Sequence, residues 1–142
     1  MAEPNSNAVL TVTVQAQDLI SGQNFLVNTT PPSVIFPAKT NLNYGGYITV
    51  STLAQVNFFT GLTPGCPFLY VRNATPGGGS NELSVIFTPT GGVLQAVVLA
   101  QGGVFVFGNP MVGSNPQTTL SQAGYFAGAV GEVTIMEYFW AS

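Results

Sequence analysis

The sequence predicts an all-β fold, an antiparallel two-sheet sandwich of about eight strands with jelly-roll-like winding. Seventeen Gly and ten Pro are spread so evenly over 142 residues that few stretches run past a dozen without one, which leaves little room for helices. β-Branched and aromatic residues fill the gaps, as in strands separated by turns. The strands so marked off are short and include one long proline-rich connection, the spacing of a sandwich rather than a simple meander. A chain of this length buries roughly two-thirds of its unfolded surface in one core, so residues 8–142 are expected to form a single domain behind a flexible arm, residues 1–7.

Ala8–Gln17 comes first, with Leu10, Val12, Val14 and Ala16 alternating against Thr11, Thr13 and Gln15, a pattern that gives one apolar and one wet face. A turn at Ser21-Gly22 leads to a short strand over Gln23–Asn28. Thr29–Lys39 contains Pro31, Pro32 and Pro37, so it can hold no central strand and is expected as an extended crossover. Tyr44-Gly45-Gly46 reads as a turn, followed by strands over Tyr47–Thr52 and Gln55–Thr60 and a Gly/Pro loop. Phe68–Arg72 is the next apolar run, and Ala74–Asn81, with three consecutive glycines, is a flexible surface loop.

Glu82–Thr88 is a strand, and Pro89-Thr90-Gly91-Gly92 a tight turn. Val93–Ala100 and Val104–Phe107, joined by Gln101-Gly102-Gly103, predict a hairpin. Both of its arms are apolar on both faces, so it is expected to be covered on two sides, by a second sheet or by a neighbouring copy. Thr118–Gln122 fits a short strand or a helical turn. Val130–Trp140 is the last and longest strand, and either of its faces could be the buried one.

Charge is the rarest commodity in this chain. Five acids, two bases and no histidine make up the titratable inventory apart from Cys and Tyr: Glu3, Asp18, Lys39, Arg72, Glu82, Glu132 and Glu137. An ordinary domain is about a quarter charged. Polarity comes instead from 24 Ser and Thr and 19 Asn and Gln, a surface that is wet but uncharged. With a formal net charge of −3, little electrostatic repulsion opposes close packing of many copies.

This inventory argues against most chemistry. Glu132 and Glu137 are the only acids close in sequence, and an odd offset places them on opposite faces of one strand, unsuited to a carboxylate pair across a sugar. Asp18 and Glu82 could meet only through folding. A serine or cysteine nucleophile would have no histidine base, and Ser–Lys chemistry would rest on Lys39 alone. Zinc and calcium sites need His/Cys or Asp-rich clusters, so no metal and no cofactor are expected, and the chain is not expected to be an enzyme. Two cations are too few to neutralise a nucleic-acid backbone. No apolar window is long enough for a membrane-spanning helix, and the first ten residues lack a basic stretch ahead of an apolar run, so no secretory signal is expected.

Cys66 reads as a small buried apolar side chain. Two sequons, at Asn28 and Asn73, are no more than chance supplies in so Asn- and Thr-rich a chain. Binding by shape remains. Tyr44, Tyr47 and Tyr125 are candidate exposed aromatics that could stack on sugars. Pro31, Pro32, Phe36 and Pro37 mark a candidate assembly segment reaching to neighbours.

Phe87-Thr88-Pro89-Thr90-Gly91-Gly92, the apolar run Val93–Phe107 with its Gly102-Gly103 turn, and Val133–Phe139 with its Glu137-Tyr138-Phe139 end resemble small virion proteins of tailed bacteriophages, of the capsid decoration or cement type. The resemblance implies a jelly roll or related sandwich and a place in the virion, assembled in the host cytoplasm. It also implies binding to the major capsid protein outside the shell, as a homotrimer in preference to a dimer; the composition leads to no expected contact with nucleic acid or a membrane. It transfers no individual residue role. The alternative expectation is a carbohydrate- or receptor-binding module of a phage fibre or tail.

Overall fold

Short apolar segments punctuated by turns do form strands throughout: a computed structural model, which describes residues 6–10, 16–26, 34–39, 42–63, 65–77, 81–109, 118–129 and 133–142, contains no helix among them. The twelve strands are β1 (Ser6–Leu10), β2 (Ala16–Gln17), β3 (Asn24–Leu26), β4 (Val34–Lys39), β5 (Leu42–Val50), β6 (Val56–Phe59), β7 (Phe68–Asn73), β8 (Leu83–Pro89), β9 (Gln95–Leu99), β10 (Val104–Gly108), β11 (Leu120–Ala127) and β12 (Thr134–Ala141). The last eight build two antiparallel four-stranded sheets, ordered β10-β7-β12-β5 and β6-β11-β8-β9.

Their pairing is nested. β8 pairs with β9, β7 with β10, β6 with β11 and β5 with β12. Such a set is one long hairpin rolled on itself, closed by β7–β12 and β8–β11, and it makes the sandwich a jelly roll. The core lies between the sheets, where Leu69, Val71, Leu83, Val85, Leu120 and Met136 are fully buried. Aromatic rings bridge the layers: Phe58 meets Tyr138 at 4.7 Å between centroids, Phe59 meets Trp140 at 5.0 Å, and Phe87 meets Phe105 at 4.9 Å. On β12 the inward face is therefore Thr134, Met136, Tyr138 and Trp140.

Several expectations change. The run 93–107 is not a hairpin, because β9 and β10 belong to different sheets. Being apolar on both faces, each strand turns one row to the core and leaves Val98, Val104 and Val106 exposed. The hydrogen-bonded hairpin is instead β8–β9, across Pro89–Gly92. The glycines of Tyr44-Gly45-Gly46 do not end a strand; they lie within β5, where the register against β12 slips between Met136 and Tyr138 and leaves Gly46 and Tyr47 as a bulge opposite Glu137. β11 runs to Ala127, well past the expected end at Gln122, since it is an inner strand paired on both edges.

At the N-terminal end, β1 pairs with β4 and β2 with β3, again nested. Residues expected as a crossover thus form strand β4. Pro37 is tolerated there because β4 has a single partner strand and the register against β1 gains an extra residue between Phe36 and Lys39, a bulge where a missing N–H costs little. Pro31 and Pro32 lie outside the described residues, as do residues 1–5; Ser6 and Asn7 are part of β1.

Asn73 ties the roll together. It is fully buried, and its amide nitrogen donates to the carbonyls of Leu99 at 2.9 Å and Asn81 at 3.1 Å. Its side-chain oxygen accepts from the Thr75 hydroxyl at 2.7 Å and the Thr75 amide at 3.2 Å. Its backbone N–H donates to Gly103 O and its carbonyl accepts from Gly102 N, fixing the corner between the sheets. A residue so engaged cannot carry a glycan in the folded chain. Replacing Asn73 with Ala leaves two carbonyls without their donor and is expected to cost about 1–3 kcal/mol, read as a lower denaturant midpoint with unchanged slope.

Candidate functional site

Sequence alternation decides what the β10-β7-β12-β5 sheet shows to the outside. With Leu69, Val71 and Met136 turned into the core, Tyr70 and Arg72 of β7 and Ile135, Glu137 and Phe139 of β12 take the outer face, with Phe68 of β7 on the same side but buried. Val104 and Val106 flank them on β10, and Tyr44 and Tyr47 on β5. Register brings Glu137 directly opposite Arg72 and Phe139 between Tyr70 and Tyr44. Phe68 and Phe139 stack at 5.6 Å between centroids.

The middle of this face is a single polar cluster. Glu137 accepts a hydrogen bond from the Tyr70 hydroxyl at 2.7 Å on Oε1 and one from the Tyr44 hydroxyl at 3.2 Å on Oε2. Arg72 Nε stands 3.6 Å from Glu137 Oε1, with the two side chains 37% and 18% exposed. A pair this accessible contributes about 0–1 kcal/mol, so its consequence is orientation more than stability. Burial, then the hydrogen bond to Glu137 and the charge of that carboxylate, push the Tyr70 hydroxyl up to about 12. Tyr44 is raised in the same direction, by desolvation and then by Glu137.

Tyr44 and Tyr47 are 66% and 65% exposed, so their rings are offered to solvent. Tyr47 has a φ of 51°, in the left-handed region where a tyrosine is disfavoured and glycine is at ease. Beside it, a Cβ on Gly45 would fall on the Tyr138 ring, which is why the strand needs glycine there. Tyr125 differs from its expected place: it is half-buried, its ring packs on Phe58 at 4.8 Å between centroids, and burial raises its hydroxyl. Phe36 and Pro37 stay with β4, paired to β1 of the same chain.

Among the described residues no group of three or more His, Cys, Asp or Glu comes together, and Glu137 is surrounded by tyrosines and arginine instead of a second carboxylate. A shallow open recess of about 200 Å³ lies beside Arg72, lined by Asn73, Ala74, Thr75 and Gly102, below the size of ordinary ligand pockets. Cys66 is fully buried, and its single S–H is shared between the carbonyl oxygens of Phe68 at 3.0 Å and Ala141 at 3.2 Å from the sulfur. The cluster Tyr44–Tyr70–Arg72–Glu137 went unseen in the sequence because only the strand register brings residues 93 positions apart into contact. No protein-family model matches the chain, and no curated protein and no solved structure matches it.

The raised Tyr70 hydroxyl has a pH signature. An unfolded tyrosine loses its proton near 10 and the folded Tyr70 near 12, so between these values the unfolded state binds fewer protons. The stability this group contributes is complete below pH about 10 and is lost as pH rises through about 12. Glu137→Gln is expected to lower the Tyr70 midpoint toward 10 without reaching it, since burial remains; tyrosinate absorbance with Tyr70→Phe as the assignment control measures this.

Proposed function

We propose that this chain is a non-enzymatic structural protein of a virus particle, a decoration or cement protein that binds the major capsid protein outside the shell and stabilises it through oligomeric contacts. The observation that carries the reading is the outer sheet face: valines, phenylalanines and tyrosines surround one internally compensated carboxylate, with no cluster equipped for chemistry. Interfaces are poor in charge at their centres and rich in Tyr, Phe and Arg, and this face has that composition. Jelly rolls serve viral capsid proteins and lectins alike, so the fold supports the reading by analogy only. The resemblance of residues 87–139 to phage decoration proteins points the same way.

Co-sedimentation with tailed-phage capsids stripped of their decoration protein tests the proposal. The expected outcome is saturable binding and a higher temperature of capsid disruption, both weakened at least about tenfold by Tyr70→Ala, as for a central interface aromatic. Capsids that pellet without the protein would overturn it.

A second reading, a carbohydrate- or receptor-binding module, is favoured by one observation. Tyr47 keeps an exposed aromatic ring at a backbone position that glycine would occupy with less strain, near Tyr44 and in the bulge opposite Glu137; strain of this kind persists where it serves a function. Tyr47→Gly should leave folding intact or improved while abolishing binding on a glycan array. An array without hits for the unmodified chain discards this reading.

A further inference from the structure

The two sides of the sandwich are finished differently. On one side the edge strands are β5 and β6, and the pairing of each to its neighbour is interrupted by a register shift. On the other side the edge strands are β9 and β10, and each keeps unbroken register with its single partner, β8 or β7. Soluble proteins guard exposed edges with Lys, Pro, bulges or a covering element. β9 and β10 have neither Lys nor Pro nor a bulge, and no charged residue occurs anywhere between Glu82 and Glu132. Among the described residues no strand lies beyond β10 in its sheet. Val104 and Val106 on it are 51% and 43% exposed.

We propose that β10 is a dimerisation edge, joining antiparallel to β10 of a second copy about a two-fold axis so that two four-stranded sheets become one of eight. A two-fold contact must be complementary to itself, and Val-Phe-Val-Phe-Gly satisfies this. Centred on Val106, the pairing sets Val106 against Val106, Phe105 against Phe107, and Val104 against Gly108, whose missing side chain leaves room for it. The outer row is then all valine and glycine, and the inner row all phenylalanine continuous with the core. No like charges meet across the axis, so nothing opposes the contact. This deepens the decoration reading, on which it rests for the need to self-associate, and selects the dimer over the trimer.

Sedimentation velocity and native mass spectrometry of the full chain, without capsids, test the edge separately from capsid binding. The unmodified chain is expected as a dimer. Val106→Lys, which sets two lysines against each other, should raise the dissociation constant at least about tenfold, while Thr60→Lys, just past β6 on the guarded side, should leave it unchanged. Should Val106→Lys fail to fold, hydrogen exchange of the unmodified chain decides: β10 amides must gain protection as concentration rises through the dimer range. A monomer at all concentrations, open-ended association, a dimer untouched by Val106→Lys, or β10 exchange independent of concentration would each overturn the proposal. A dimer that ignores capsids would instead remove the virion reading and leave the edge in place.

Discussion

The rolled ribbon depends on satisfying polar groups where the chain leaves one sheet for the other, and Asn73 does this with one buried side chain. Both functional ends of its amide and both of its backbone groups are engaged. Through them the end of β7, the approach to β8 and the corner between β9 and β10 are fixed together. Thr75 extends the same network to β12 by accepting from Ile135 N at 2.9 Å. An apolar residue at this position would fill the space and leave buried carbonyls without donors, and the desolvation of such groups outweighs what apolar burial returns. The corner also places β9 and β10 side by side as edges of opposite sheets.

Around that corner the sandwich divides labour between its two surfaces. Its interior is apolar, with rings bridging the sheets, whereas the outer face gathers its few polar groups around Glu137. The carboxylate accepts from two tyrosines and stands 3.6 Å from one guanidinium nitrogen, so the face carries local polarity with its one negative charge offset by a positive one. Such a surface is suited to being covered by a partner that brings no countercharge. Sparse charge in the sequence and compensated charge in the fold are thus one property at two scales.

Fold class was legible in the sequence because turn residues and β-branched runs report local backbone preference, and that preference survives in the eight strands of the roll. Pairing was not legible. The run 93–107 has every local mark of a hairpin, yet its two halves serve different sheets, a choice made by long-range partners. The glycines at 45 and 46 carry the same local signal in a turn and in a bulge; only β12 alongside tells them apart. β11 was foreshortened because Gly124 breaks its pattern. A Cβ there would stand 2.7 Å from Val56 O, so that glycine records the close approach of β6. Of the candidate site, the exposed rings at 44 and 47 could be named in advance, but Glu137 and Arg72 acquired their roles through register alone.

Nesting has a further consequence for how the chain comes into being. β12, the last strand of the roll to leave the ribosome, lies in the interior of its sheet between β7 and β5. Until it arrives, β5 has no neighbour in that sheet and β7 is paired on one side only. Half the sandwich must therefore wait until β12 has been made, and closing contacts between such distant segments is intrinsically slow. During that interval the newborn chain displays a stretch without a single ionic gatekeeper, the condition under which unpaired strand edges are prone to aggregate.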